Sequence, residues 1–155
     1  MNFTVESYNI IQQLYQRYPK DLVIIFEYAK DSIMLSYVDK YKELLEEMIK
    51  QRDELGDDKA QVKQTYDNYI AYTKSLMELA KCNYDETKKY YEAMLEKDKD
   101  NVVLLNNLAV LEIYGNNPSE SYKKLNYIAD SKKLDCNNDV VKHNLTVVSD
   151  TFHKK

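Results

Sequence analysis

Apolar side chains recur along the chain at intervals of three and four residues: Ile11, Leu14 and Tyr15; Leu45 and Met48; Tyr91, Met94 and Leu95; Leu125 and Ile128. Such spacing puts each set on one side of a helix and gives the stripe of a half-buried amphipathic element. Towards the C-terminus, between Asn137 and Thr151, Val140, Val141, Leu145 and Val148 follow the same spacing between polar flanks. Only two Gly and two Pro occur in the chain, too few to build the many tight turns of a sandwich or barrel. The pattern predicts an all-α protein of seven or eight helices and no strand.

The helical stripes also repeat at a longer interval. The segment Cys82-Asn83-Tyr84-Asp85-Glu86-Thr87-Lys88-Lys89-Tyr90-Tyr91-Glu92-Ala93-Met94-Leu95-Glu96-Lys97-Asp98-Lys99-Asp100-Asn101 resembles the second half of a tetratricopeptide repeat, with Lys99 in place of the usual Pro. A step of roughly 34 residues, the period of that family, reaches Asn116-Asn117-Pro118-Ser119-Glu120-Ser121 and the apolar Leu125 and Ile128. Upstream, Tyr18-Pro19 has the form of a closing Pro, and counting on from it puts Ala29 at the small position of the next first helix.

Small residues provide an independent check on that register. At the crossing position, first helices carry Ala29, Ser75 and Ala109, and second helices carry Ser7, Tyr41, Thr87 and Ser121. All but Tyr41 are small, as helices approaching to roughly 8–10 Å require. One domain over residues 1–155 follows, with a partial repeat at 1–21, repeats at 22–55, 68–101 and 102–135, and a capping helix at 136–152. The resemblance implies a right-handed α-solenoid of antiparallel helix pairs, ended by a helix that covers the apolar stack. Residues Gly56 to Val62 are extra to the period and read as a lengthened helix pair, with Gly56 just past one helix and Asp57 or Asp58 capping the next.

Composition narrows the function. No apolar run approaches the roughly 20 residues of a membrane span, and the N-terminal stretch lacks the continuous apolar region of a signal peptide, so the expected compartment is the cytosol. A net charge of −4 and a pI near 5.3 argue against nucleic-acid binding, which leaves a basic footprint. Cys82 and Cys136 cannot make a four-ligand zinc site and read as packed small apolar residues. His143 falls at the crossing position of the last helix and His153 in the tail, neither near a Cys at ligand spacing. Two Gly cannot build a phosphate loop, and the acidic stretches lack calcium-loop spacing. These readings assign no catalytic, cofactor-binding or metal-binding residue and no small-molecule substrate.

The chain has 15 Tyr and no Trp. Tyr84, Tyr90 and Tyr91 sit where such repeats place core aromatics. Tyr66, Tyr69, Tyr72 and Tyr114 lie on first helices, which line the concave face of a repeat array. Tyr buries a large area while keeping a polar handle, which suits it to interfaces. The candidate protein-binding residues are therefore Tyr69, Tyr72, Asn106, Asn107 and Tyr114.

Several segments together resemble the C-terminal tetratricopeptide region of subunit 12 of the trafficking protein particle (TRAPP) complex. They are Glu6 to Tyr8 leading into Tyr18-Pro19, the long linker after the next helix pair, Asn106-Asn107-Leu108-Ala109-Val110 with Tyr114, Ser121 with Leu125, and Asn144-Leu145-Thr146. The resemblance implies a non-catalytic subunit of a vesicle-tethering complex, acting in traffic between endoplasmic reticulum and Golgi and in autophagy. It implies other subunits as partners and a cytoplasmic location peripheral to those membranes. Two departures stand against it: the chain opens on a second helix, and it lacks the longer region that precedes the repeats in such subunits. The alternative is a repeat adaptor of the co-chaperone kind, gripping C-terminal carboxylates. The inward-facing positions Phe26, Tyr72, Asn106, Asn107, Val140 and Val141 offer Asn but no cationic pair for that task.

Overall fold

Helix follows helix with short connections in this computed structural model, which describes residues 3–115, 117–130 and 139–152. Asn116, Cys136, Asn137 and His153 lie outside the described residues, as do the end of the 102–135 repeat and the first three positions of the expected capping helix. The elements are α1 (Phe3–Arg17), α2 (Leu22–Met34), α3 (Val38–Asp53), a short 3-10 turn (Asp57–Lys59), α4 (Ala60–Ala80), α5 (Tyr84–Lys97), α6 (Val102–Tyr114), α7 (Pro118–Asp130) and α8 (Asp139–Phe152). Among the described residues there is no strand, so the all-α expectation holds.

The connections repeat in detail. At the end of α2, the Tyr37 N–H donates to Ser32 O at 2.8 Å and the Ser36 N–H to Ile33 O at 3.0 Å. At the end of α4, Asn83 donates to Glu78 O and Cys82 to Leu79 O, both at 2.9 Å. Ser36 and Cys82 each have φ of 59°, the left-handed conformation that turns the chain out of a helix while satisfying its last carbonyls. The end of α6 makes the corresponding outer bond, from the Asn117 N–H to Glu112 O at 2.8 Å. The other kind of connection also recurs. Asp21 donates its N–H to Tyr18 O and Asn101 to Asp98 O, both at 3.2 Å. The Asp21 carboxylate then caps the amides of Val23 and Ile24, and the Asn101 side chain caps that of Leu104.

The insertion between α3 and α4 lengthens a helix, as expected, but its caps differ from the expected ones. Gly56 has φ −68° and ψ 164°, so it leads into the 3-10 turn in an extended conformation rather than closing α3 in a left-handed one. Neither Asp57 nor Asp58 caps α4, whose N-cap is Lys59 without a side-chain bond. The extra residues extend α4 at its start to 21 residues, against 13 in α2 and in α6, in keeping with the lengthened pair.

The chain divides into two compact units, Met1–Asn83 and Tyr84–Lys155, with the boundary inside the stretch 68–101 expected to form one repeat. In the first, α2 packs against α1, α3 and α4, and α3 against α4. Its core joins Ile25, Phe26, Tyr28 and Ala29 to Leu44, Met48, Tyr66 and Ile70, with Tyr8, Ile11 and Tyr15 of α1 packed alongside. In the second, α5 packs on α6, α6 on α7 and α7 on α8, and α6 also touches α8. Ala109, Leu125, Ile128, Val141 and Val148 form its core, flanked by Val102, Leu105 and Leu145.

Ala29, Ser75, Ala109, Thr87 and Ser121 are all fully buried, as the crossing register requires. Four positions depart from the sequence reading. Cys82, read as a packed small residue, is exposed, because it sits in the left-handed turn after α4. Ser7 is exposed, although its helix is formed. His143 is exposed, because α8 turns Val141, Leu145 and Val148 towards α6 and α7 and leaves His143 on the outer side. Val140, grouped with that stripe, is 59% exposed for the same reason.

Candidate protein-binding faces

In the first unit, α2 and α4 meet along an aromatic seam. The Phe26 ring meets Tyr69 edge-on at 4.9 Å between centroids and Tyr72 at 5.8 Å. One turn along α2, the Lys30 ammonium lies 5.9 Å from the centre of the Phe26 ring and pairs with Glu27. Beyond these rings the seam opens into a groove of about 450 Å³ lined by Lys30, Ile33, Met34, Ser36, Leu76, Leu79 and Ala80. Met34 is 65% exposed, a large apolar side chain presented to solvent at the lip.

The long α4 is held by polar bonds as well as by packing. The Tyr66 hydroxyl donates to the Gln51 side chain at 2.9 Å, and the Gln51 amide donates to Glu47 at 2.7 Å and to Pro19 O at 3.4 Å. One buried amide thus ties α3 to α4 and to the turn before α2. Arg52 bridges to Asp67 at 2.8 Å, and the bonds to Asp67 and Asp53 push its pKa above the usual guanidinium value. The Thr73 and Ser75 hydroxyls donate back to Tyr69 O and Tyr72 O, which lets these small polar residues sit in buried positions. Tyr66 is therefore a core residue and not part of an open face.

In the second unit, α6 carries a different surface. Asn106 accepts a 2.9 Å bond from the Asn144 amide of α8, so its side chain links two helices. Asn107 is half-buried. Tyr114 is 65% exposed and stacks on Tyr84, with ring centres 5.4 Å apart and planes 10° from parallel. Val103 and Ile113 are also exposed on this helix.

Glu112 had no part in the sequence reading. Its carboxylate is buried and bonds Lys88 of α5 at 2.7 Å and Lys124 of α7 at 3.4 Å. Burial pushes its pKa up, but the hydrogen bonds and charges of the two lysines outweigh that effect and hold it below the usual carboxylate value. The sequence signal was a single Glu in the otherwise apolar run Leu108-Ala109-Val110-Leu111-Glu112-Ile113. A charge there needs partners, and those partners come from two other helices.

Of the five candidate residues, Tyr69 and Tyr72 belong to the first unit and Asn106, Asn107 and Tyr114 to the second. Each set lies on first helices, yet part of each is committed internally, through the Phe26 contacts, the Asn144 bond and the Tyr84 stack. The groove residues Met34, Leu76 and Leu79 were not anticipated; the signal was available in their shared position at the ends of first helices. Val141, expected on the inward face, is a core residue. Among the described residues, no three His, Cys, Asp or Glu side chains gather as a metal site, and no helix is long and apolar enough to cross a membrane.

Comparison with protein-family models, with curated proteins and with solved structures finds no match to this chain.

Proposed function

We propose that this chain is a non-catalytic protein-binding scaffold of the tetratricopeptide kind, a right-handed solenoid whose first helices form the binding face. The observation that carries the reading is the apolar groove between α2 and α4, with Met34 exposed beside a ring-lined seam. Three further features support it. Both kinds of helix connection recur with the same hydrogen bonds. Small residues are buried at the crossing positions Ala29, Ser75, Thr87, Ala109 and Ser121. The contacts between helices two apart, α2 with α4 and α6 with α8, join first helix to first helix, as in stacked repeats, where each unit leans on its neighbour.

The partner we propose is another subunit of a vesicle-tethering complex, on the sequence resemblance to the TRAPP subunit, with a cytoplasmic site of action at endoplasmic reticulum and Golgi membranes. The groove suits an apolar segment of that partner. The co-chaperone alternative draws less support, because Lys30, the cation lining the groove, is paired with Glu27.

Affinity purification with mass spectrometry tests the reading, using the natural chain and Met34→Glu. The substituted side chain is largely exposed, so thermal unfolding should be unchanged. Tethering subunits captured by the natural chain and lost with Met34→Glu are the expected result. Equal capture by both forms removes the groove from the interface, and capture of heat-shock chaperones favours the adaptor.

A further inference from the structure

An oxidant must reach a methionine's sulfur to convert the thioether to a sulfoxide, so exposure decides which methionines react. The methionines among the described residues are Met34, Met48, Met77 and Met94. Met48 and Met94 are buried and Met77 is half-buried, whereas Met34 is 65% exposed. It is the last residue of α2 and stands at the lip of the α2–α4 groove, whose apolar lining includes Ile33, Leu76 and Leu79. A thioether at that place is apolar and flexible, and it adapts to apolar ligands of varied shape. Two residues with hydrogen-bond donors share the lining: Lys30, four residues earlier on the same side of α2, and Ser36 in the turn that follows.

We propose that Met34 is a reversible oxidation site that switches the groove: hydrogen peroxide converts its thioether to the sulfoxide, and the polar lip that results turns apolar ligands away. The sulfur attacks one peroxide oxygen, and an S–O bond forms while the O–O bond breaks. Sulfur gives up two electrons, and the displaced oxygen takes a proton and leaves as water. The sulfoxide oxygen is a much stronger hydrogen-bond acceptor than the thioether sulfur. With Lys30 and Ser36 as donors beside it, the oxygen stays at the mouth of the groove, and an apolar ligand can enter only by stripping it of those bonds or of water. Methionine sulfoxide reductases reverse the change, one enzyme for each epimer. Loss of the ligand rests on the reading of this groove as a binding site; selective oxidation does not.

The test uses the whole chain with Cys82→Ser and Cys136→Ser, which removes the thiols that peroxide also attacks. Peptide mapping after hydrogen peroxide treatment should find Met34 converted about tenfold or more faster than Met48 and Met94, with thermal unfolding of the oxidised chain unaltered. The apolar dye anilinonaphthalene sulfonate serves as the groove probe, its groove-bound fluorescence being the part that Met34→Glu removes. Oxidation should remove that same part, and the two reductases should restore it. Met34→Leu should keep the dye and be indifferent to peroxide. Met34 oxidised no faster than the buried Met48 overturns the proposal. So does dye binding that depends on Met34 yet survives its complete oxidation, a result that leaves the groove reading in place. Equal dye binding by the Met34 and Met34→Glu chains overturns the groove reading and the switch together.

Discussion

The two units use the same kind of helix pairing but fill the space between helices with different chemistry. The first unit is aromatic: Tyr28 is almost fully buried, Phe26 and Tyr66 are buried with it, and Tyr8, Tyr15, Tyr69 and Tyr72 surround them. Its buried polar groups are mostly hydroxyls and amides, such as the 3.2 Å bond from the Tyr28 hydroxyl to that of Tyr8, with the Asp31 carboxylate of α2 buried as well. The cluster of α6, α7 and α8 in the second unit is aliphatic, although the Tyr91 ring of α5 is buried too, and a prominent buried polar group is a charge, the Glu112 carboxylate between two lysines. A crossing set by small residues can therefore be filled by rings or by aliphatic side chains, and most polar groups that enter it are paired, the buried Ser121 hydroxyl being the exception.

Tyr28→Ala breaks the comparison most severely. It removes a ring that contacts α1 and belongs to the central cluster of α2, α3 and α4, and should cost about 3–5 kcal/mol in a urea melt. If the cost is below about 1 kcal/mol, the first unit is not organised around its rings.

Glu112→Gln should cost less, about 1.5–3 kcal/mol, the range for hydrogen bonds to charged groups. The pH dependence follows from its lowered folded pKa. The carboxylate stabilises the fold above the ordinary Glu value of about 4.3, and this contribution is lost as pH falls through the lower folded value. Acid titration of stability should thus be shallower in the Gln variant below about pH 4.3.

Tyr8→Phe sharpens the other side of the comparison at alkaline pH. Burial, and then the bond to Tyr28, raise the Tyr8 pKa to about 12. Its contribution is fully present below the unfolded pKa of about 10 and is lost as pH rises through the folded value. The natural chain should lose stability between those values, and Tyr8→Phe should lose less, as followed by circular dichroism.

Smaller effects are expected at Ser36 and Cys82, the left-handed residues of two equivalent turns. That conformation costs a non-glycine residue roughly 1–2 kcal/mol, while glycine brings an entropic cost of about 0.5–1 kcal/mol. Ser36→Gly and Cys82→Gly should each stabilise by under about 1 kcal/mol, by similar amounts. A gain at one position and a loss at the other would deny that the turns are equivalent.

These turns also show where sequence reading stops. Helices and crossing positions were legible because apolar spacing and small residues are local signals. Ser36 and Cys82 were not, since nothing in their chemistry announces a positive φ. Ser7 was given its crossing position, but whether a helix covers it depends on a neighbour that local spacing does not describe. The register of α8 followed the valines only in part: Val141 and Val148 are buried, whereas Val140 and His143 face outward. The Glu112 site was hidden because its partners lie on two other helices. Tyr69 and Tyr72 were singled out from residue type and repeat register, and they lie against Phe26 of α2. Their neighbours Met34 and Leu79 needed the α2–α4 contact to become visible.

The repeat register underlies the function proposed for this molecule, and one pair of urea melts tests it directly. Ala109 is fully buried at the crossing of α6, whereas Ala60 is exposed at the start of α4. Ala109→Leu should destabilise by about 1–3 kcal/mol, because added methylenes force the helices apart, while Ala60→Leu should change stability by less than about 0.5 kcal/mol. Equal effects at the two positions would contradict the register and the helix pairing built on it.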